Sequence, residues 1–316
     1  MKRLITVGSS MLLIWLTSVY LKAENHINIS SQFKNPQKVH IEGLPIGTRG
    51  SLLSVEEPFI SRDGKFLFFN SGKEEDNKDL YYAKWDKSRW VYKGKIGPNI
   101  NTSKEVEGNP TMDEKYNFYY IDSGIEAMAR AAIFSPENGE LSSVRELEGI
   151  PKRKIQLIRQ RFHGNMGVEV SADGSYLFFS RATWALNGLK LGTFIDSEIL
   201  FLKRHNGKYL YDETEVNRIM KNINTSDLEY AASISANGLE LYFTRLAIED
   251  LKKGNIRSKI MHSTRNAISK PFEKPEAIEA IGVNDFVEGP AISADERELY
   301  YHKREGHKFG LFKVRR

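Results

Sequence analysis

The sequence predicts an all-β protein, a five-bladed β-propeller of four-stranded antiparallel sheets, with six blades as the alternative. A phrase in which a polar turn precedes an aromatic-rich strand occurs five times, at intervals of 51 to 64 residues. This interval is typical of a four-stranded unit repeated around an axis. Each copy contains two consecutive aromatic residues, which point to opposite faces of a strand. Both faces of every sheet must therefore be buried against neighbouring sheets.

The first copy shows the order of strands within one predicted blade. A strand at residues 58–60 leads through the turn Asp63-Gly64 to an aromatic strand at residues 66–70. Two further strands, at residues 80–84 and 90–93, complete the sheet. Asp-Gly between two apolar runs predicts a tight hairpin, because glycine adopts positive φ without steric cost.

The later copies have their turns at Glu114, Asp173, Asn237 and Asp295. The fifth copy has only three strands before residue 316. We therefore expect the N-terminal segment, near residues 39–45, to complete the last blade. Such closure would remove the free sheet edges that invite aggregation.

The N-terminus is predicted to be a signal peptide over residues 1–23, followed by one propeller domain over residues 24–316. Lys2 and Arg3 precede an uncharged stretch at residues 4–21, and Ala23 offers a cleavage point. An uncleaved membrane anchor is the alternative, because eighteen uncharged residues approach the roughly 20 that span a bilayer. Cleavage would give a periplasmic or secreted protein with no membrane span. The absence of cysteine excludes disulfides and lipoprotein acylation.

The charge of the chain argues against a nucleic-acid partner. The formal net charge is +5, but residues 1–23 hold three basic residues and no acidic one, which leaves 43 basic against 41 acidic residues. Basic and acidic residues alternate through this part, so the sequence contains no continuous phosphate-binding stripe.

The phrase itself resembles a known repeat. Glu-x-Pro followed by Ser-x-Asp-Gly and an apolar strand, seen in residues 56–69 and 288–301, is similar to the WD40-like PD40 repeat of the TolB propeller family. Three copies depart from it, with Glu114-Lys115, Asn237-Gly238 and Asp295-Glu296 in place of Asp-Gly. The resemblance implies a propeller fold and an exported scaffold that binds a protein or an envelope component.

Candidate binding residues are predicted where the inner strand of each blade begins and where its second strand ends. These two positions open on the same mouth of the central channel. The residues predicted there are Glu56, Glu57, Glu107, His163, Arg181, Glu229, Arg245, Glu288 and His302. One hypothesis is a polar mouth in which carboxylates bind a cation or a sugar and arginines hold an anion. The other is that glutamates and arginines pair across neighbouring blades.

Two insertions add to the repeat unit. Residues 181–197, which include Trp184, are expected to form a long apolar loop in the third blade, and residues 246–257 a charged one in the fourth. Long loops of this kind often carry function or cap a site. Trp184 is therefore included among the candidate binding residues.

These observations predict a non-catalytic, monomeric binding or scaffold protein without a cofactor or metal. Its predicted partner is a protein, an envelope component or a carbohydrate. His163, His205, His262 and His302 include no close-spaced pair, and the sequence has no Gly-x-Ser-x-Gly elbow or phosphate-binding glycine loop. The alternative is a carbohydrate-active hydrolase or lyase that uses mouth carboxylates and His163.

Overall fold

The computed structural model describes residues 29–316 apart from 49, 73–76, 98–99, 103–105, 123–127, 152–153, 157, 189 and 283–284. The predicted signal peptide, residues 1–23, lies outside the described residues. The described chain is all-β, with two short α-helices and two 3-10 turns beside its strands. No helix in this part is long and apolar enough to cross a bilayer.

Two short strands come first, β1 (Lys34–Lys38) and β2 (Ile41–Glu42). Two groups of four antiparallel strands follow. Group 1 contains β3 (Val55–Ile60), β4 (Phe66–Ser71), β5 (Leu80–Trp85) and β6 (Trp90–Lys95). Group 2 contains β7 (Glu107–Met112), β8 (Asn117–Asp122), β9 (Met128–Phe134) and β10 (Leu141–Glu146).

Group 3 is built around a long hairpin. It contains β11 (Lys154–Gln156), β12 (Arg161–Val170), β13 (Tyr176–Asn187), β14 (Lys190–His205) and β15 (Lys208–Leu210). The insertion at residues 181–197 was expected to be a loop, and that expectation is wrong. Its two halves pair with each other, so β13 and β14 extend beyond the repeat unit.

The remaining strands form two more groups. A helix, α1 (Glu213–Ile219), links groups 3 and 4. Group 4 contains β16 (Leu228–Ile234), β17 (Glu240–Leu246), β18 (Ser258–Thr264) and β19 (Glu276–Ala277), with α2 (Ile248–Lys252) inserted after β17. Group 5 contains β20 (Val287–Ile292), β21 (Glu298–Glu305) and β22 (Lys308–Arg315).

The N-terminal strand completes group 5. β1 pairs antiparallel with β22, and the backbone N–H of Val39 donates to the carbonyl of Leu311 at 2.8 Å. The pairing strand lies a few residues before the segment expected from the sequence, because Ile41 and Glu42 pair instead with β6 of group 1. The two ends of the described chain thus share one sheet.

The first strands of the groups contact one another in a closed cycle. β3 packs against β7, β7 against β12, β12 against β16, β16 against β20, and β20 against β3. The apolar cores lie between neighbouring groups: Phe68 contacts Phe118 of group 2 with 5.2 Å between ring centroids, whereas Phe69 shares a core with Tyr300 of group 5. The prediction that both members of each aromatic pair are buried is confirmed for Phe68-Phe69, Tyr119-Tyr120, Phe178-Phe179, Tyr242-Phe243 and Tyr300-Tyr301.

The first strand of every group contains one β-bulge. Antiparallel pairing is interrupted once between each first strand and its neighbour, and the extra residue lies toward the centre of the cycle. Bulges of this kind re-aim side chains beside functional sites. The extra residues are Glu57, Asn109, Met166, Ala231 and Gly289.

Candidate functional site at the channel mouth

All five bulge residues line one cavity of about 470 Å³. This volume lies within the range of about 300–1,000 Å³ that is typical of small-molecule sites. We call it the mouth cavity. Its polar side is formed mainly by Glu57, Tyr230, Glu288 and His302.

Glu57 is held by neighbours on both sides of its strand. Its backbone N–H donates to His302 Nδ1 at 3.0 Å, and its side-chain Oε2 accepts from the backbone N–H of Asn109 at 3.0 Å. The φ angle of Glu57 is +52°, a left-handed conformation uncommon for residues other than glycine, asparagine and aspartate. Such strain persists where the surrounding structure fixes it, often at functional sites.

His302 connects Glu57 to Glu288. Because His302 Nδ1 accepts a hydrogen bond from the Glu57 backbone, the ring proton lies on Nε2, which donates to Glu288 Oε2 at 3.3 Å. The hydroxyl of Tyr230 donates to the other oxygen, Glu288 Oε1. Burial, and then the charge of Glu288, raise the pKa of Tyr230 well above its usual range, so this hydroxyl keeps its proton. Both oxygens of Glu288 are therefore oriented by a donor.

Gly289 lets His302 lie close to the backbone. Its φ is +62°, and a Cβ atom at this position would lie 3.0 Å from His302 Nδ1 and 3.4 Å from the Glu57 Cα atom. A larger residue would strain the turn and displace the imidazole. The glycine thus belongs to the arrangement that joins the two glutamates.

Lys78 supplies a buried positive charge beside this group. Its Nζ donates to Glu56 Oε2 at 2.6 Å and lies 3.7 Å from Glu57 Oε1. Burial would lower the pKa of Lys78, but the charges of Glu57 and Glu56 raise it above its ordinary value, so it stays charged. Burial raises the pKa of Glu56, which is bound by Lys78 and does not line the mouth cavity.

Arg304 lies at the edge of the mouth cavity and is held by aromatic rings. Its guanidinium lies 4.4 Å from the centroid of Phe286 and 5.6 Å from that of Phe309. Its backbone N–H donates to the carbonyl of Phe286 at 3.0 Å. Cation–π attraction of this kind holds the planar guanidinium beside the two rings.

Glu107 and Glu229 do not line the mouth cavity, and their prediction as site residues needs correction. Glu107 and Glu229 lie two residues before the bulge residue of their strands, whereas Glu288 lies one residue before its own. Because side chains alternate along a strand, Glu107 and Glu229 point to the face opposite to that of Glu288. Each instead accepts hydrogen bonds from a threonine in the preceding connection, namely Thr102 for Glu107 and Thr225 for Glu229. Burial raises the pKa of Glu107 to about 7.

Arg245 is paired within its own group. Its Nε donates to Glu229 Oε1 at 2.7 Å, and the two residues are register partners on β16 and β17. Arg181 likewise bonds Glu198 of group 3 at 2.6 Å. The hypothesis that these arginines pair across neighbouring blades is therefore wrong at these two positions. Among the described residues, neither Glu57 nor Glu288 has an arginine within ion-pair distance.

His163 and Arg181 line a second cavity, of about 580 Å³, rather than the mouth cavity. His163 Nδ1 lies 3.0 Å from the hydroxyl of Thr183. His163 pairs with Thr183 on the extended part of group 3, whereas Arg181 pairs with Asn165, directly beside the bulge residue Met166. Trp184 also lies outside the mouth cavity, but it packs on Phe194, which lines it, with 5.1 Å between ring centroids.

The structure thus brings together three of the predicted residues, Glu57, Glu288 and His302. Sequence reasoning missed Tyr230, although it aligns with Glu288 one position before the bulge and could have been found by that comparison. It also missed Lys78 and Arg304. In the part of the chain that the structure describes, no group of three or more His, Asp or Glu side chains is arranged to hold a metal ion.

No protein-family model matches this sequence, and no curated protein matches it. Solved structures are similar in fold. One described as a glycoside hydrolase has a TM-score of 0.56 and 10% identity, covering 91% of this chain and 93% of that chain. A second, described as a BT0996 RGII complex, has a TM-score of 0.53 with 10% identity and the same coverage. TolB from Acinetobacter baumannii has a TM-score of 0.46 and 11% identity, covering 84% of this chain and 55% of that chain.

The prediction of a non-catalytic binding or scaffold protein is contradicted by this comparison. The structure with a TM-score of 0.56 is described as a glycoside hydrolase, whereas TolB has a TM-score of only 0.46. At 10% identity, the two structures with a TM-score above 0.5 are evidence for the fold alone. Taken with the closed cycle of strand groups, they show that this chain has a β-propeller fold.

Proposed function

We propose that this chain is a five-bladed β-propeller that hydrolyses glycosidic bonds, with Glu57 and Glu288 as its catalytic carboxylates. Five blades are supported by the five groups of antiparallel strands, the cyclic packing of their first strands, and the completion of group 5 by β1. Hydrolysis is supported by the chemistry of the mouth cavity and by the fold that the chain shares with a glycoside hydrolase.

The observation that carries the proposal is the bridge made by His302. One imidazole joins the backbone of Glu57 to the carboxylate of Glu288, so two acids from neighbouring groups are held at the same cavity wall. Most glycoside hydrolases use a pair of carboxyl groups that flank the scissile bond. One protonates the departing oxygen as its bond to the anomeric carbon breaks, and the other assists the attack on that carbon.

The hydrogen bonds assign different parts to the surrounding residues. His302 uses Nδ1 to accept from Glu57 and Nε2 to donate to Glu288, which leaves no free lone pair for proton abstraction. It is a positioning residue, and so is Tyr230. This arrangement favours hydrolysis over a lyase reaction that needs a histidine base. His163, which lines the other cavity, has no part in it.

The repeat is proposed to be of the PD40 type, with residues 24–316 as one domain that is exported after removal of residues 1–23. The repeated phrase and the charge pattern of the N-terminus support this assignment. Under this proposal the enzyme acts on glycans outside the cytoplasm.

The test is an activity screen of the purified protein with arabinoxylan, galactan, pectin and other polysaccharides, with products identified by mass spectrometry. For any glycan that is cleaved, Glu57→Gln and Glu288→Gln are each expected to lower kcat by about 10²–10⁴-fold. Glu140→Gln, an exposed glutamate at the turn between β9 and β10, is the matched control and should leave kcat unchanged.

Both site variants should keep the thermal transition of the parent protein, because glutamine has nearly the shape of glutamate. Full activity in either variant would refute the role of that residue. A screen in which no glycan is cleaved would argue against the hydrolase itself.

A further inference from the structure

The mouth cavity is lined by two unlike sets of residues. Besides the group formed by Glu57, Tyr230, Glu288 and His302, six of the lining residues have large apolar side chains. We call this set the apolar wall. It is formed by Phe194, Leu228, Leu246, Leu251, Ile256 and Phe286.

The two insertions supply four of the six residues of the apolar wall, one of which, Leu246, is also the last residue of β17. Phe194 comes from the extended hairpin of group 3 and is backed by Trp184. Leu251 lies in α2, and Ile256 lies just beyond it in the insertion of group 4. Ile256 is 41% exposed, although isoleucine is usually buried. The residues added to the repeat unit therefore place apolar side chains over the channel mouth.

The apolar wall is poorly suited to a sugar ring. Hydroxyl groups removed from water need hydrogen-bond partners, and leucine and isoleucine side chains offer none. The polar set offers carboxylates, an imidazole and a phenol, which are suited to hydroxyl groups. An occupant that is polar on one side and apolar on the other would match both sets.

We infer that the apolar wall binds an aryl group that the substrate carries next to the bond cleaved by Glu57 and Glu288. This inference rests on the proposed hydrolase function and names the class of substrate, an aryl-substituted glycoside. The rings of Phe194 and Phe286 favour an aryl group, because aromatic pairs gain from offset or edge contacts. The sugar then faces the carboxylates and the aryl group faces the insertions.

The test compares 4-methylumbelliferyl glycosides with methyl glycosides of the same sugars. Binding is measured by calorimetry with the Glu57→Gln protein, so that hydrolysis does not consume the ligand. For at least one sugar, the aryl form is expected to bind ten or more times more tightly than the methyl form. Loss of one apolar side chain from a pocket typically costs about 10-fold or more in affinity.

Ile256→Ser and Leu251→Ala, made in the same background, should each weaken binding of the aryl form by about 10-fold and leave the methyl form unchanged. Ile256 is the safer position, because it is exposed and does not belong to the packed cluster that contains Leu251. Leu210→Ser, an exposed leucine on β15, is the matched control and should change neither ligand.

Equal affinity for aryl and methyl forms, or no binding of any aryl form, would overturn the inference. So would equal losses for both forms in the wall variants. Cleavage of a glycan without an aryl preference would overturn the inference alone and leave the hydrolase standing. Aryl binding that depends on the apolar wall, in a protein that cleaves no glycan, would support the aryl site and argue against the hydrolase.

Discussion

Glu169 and Arg62 form a buried ion pair that joins two groups that are not neighbours. Arg62 Nη2, from the turn before β4, lies 3.1 Å from Glu169 Oε1 at the end of β12. The same carboxylate accepts from the hydroxyl of Thr111 in group 2 at 2.6 Å and from the backbone N–H of Ile234 in group 4 at 3.3 Å. Four of the five groups therefore meet at one side chain.

Arg62→Met is expected to destabilise the protein by about 3–5 kcal/mol, because it leaves the charge of Glu169 buried and unpaired. Burial already raises the pKa of Glu169, and Arg62 opposes that rise. Adding Glu169→Gln should recover part of the loss, since an amide needs no cation. Urea unfolding of the two single variants and the double variant gives the coupling energy. A loss below about 0.5 kcal/mol in Arg62→Met would contradict the structural role of the pair.

Glu107→Gln is expected to flatten the pH dependence of stability. Burial raises the pKa of Glu107 to about 7, so the folded state binds this proton more tightly than the unfolded state does. The stability linked to this group is therefore fully present below about pH 4 and is lost as pH rises to about 7. The variant should gain about 2–3 kcal/mol relative to the parent between pH 4 and pH 8. Urea unfolding at pH 4 and pH 8 measures the free energy of unfolding of both proteins. The same change with pH in the parent and in the variant would contradict the role of Glu107.

Tyr230→Phe is expected to lower kcat and to leave KM nearly unchanged. The phenol donates to Glu288, so its loss removes one of the two donors that orient this carboxylate. Tyr116→Phe is the matched control, because Tyr116 donates to Asp63 at 2.8 Å, away from the mouth cavity. A lower kcat accompanied by a lower thermal transition would indicate general loss of structure rather than loss of positioning.

Gly289→Ala should reduce activity and cost more than about 1 kcal/mol of stability, since a Cβ atom there meets His302 and the backbone φ is positive. Gly306→Ala tests the cost of the positive φ alone, because φ at Gly306 is +67° but no atom lies within 4 Å of the added Cβ. We expect this control to lose stability and keep its activity. Equal activities in the two variants would show that the fit around His302 is unimportant for the reaction. Thermal unfolding and kcat/KM are the measurements.

Phe33→Ala is expected to destabilise the protein by about 3–5 kcal/mol. Phe33 precedes β1, is only 1% exposed, and packs on Tyr242 of group 4 with 6.0 Å between ring centroids. It therefore anchors the strand that completes group 5. Guanidinium unfolding measures the change, and Ile155→Ala, at a side chain 59% exposed on β11, is the control. A cost below about 1 kcal/mol would show that β1 does not depend on this contact.

The repeated phrase was sufficient to predict the strands, because alternation along a strand fixes which side chains are buried. Phe68 and Phe69 are fully buried on opposite faces for this reason. The site was harder to predict because it depends on register at the bulge. A shift of one residue separates Glu288, which lines the mouth cavity, from Glu229, which does not. Leu251 and Ile256 lie in an insertion without a repeat pattern, so no periodicity indicates that they reach the same cavity.

The pairing of β1 with β22 has a consequence for biosynthesis. Lys34 is the register partner of Arg315, 315 − 34 = 281 residues later, so all of the intervening strands are synthesised before this sheet can form. Contacts between residues so distant in sequence form slowly, because loop-closure entropy must be overcome first. Until β22 has been made and has paired, β1 has an uncovered edge. During this interval the protein is most exposed to self-association and has most to gain from a chaperone.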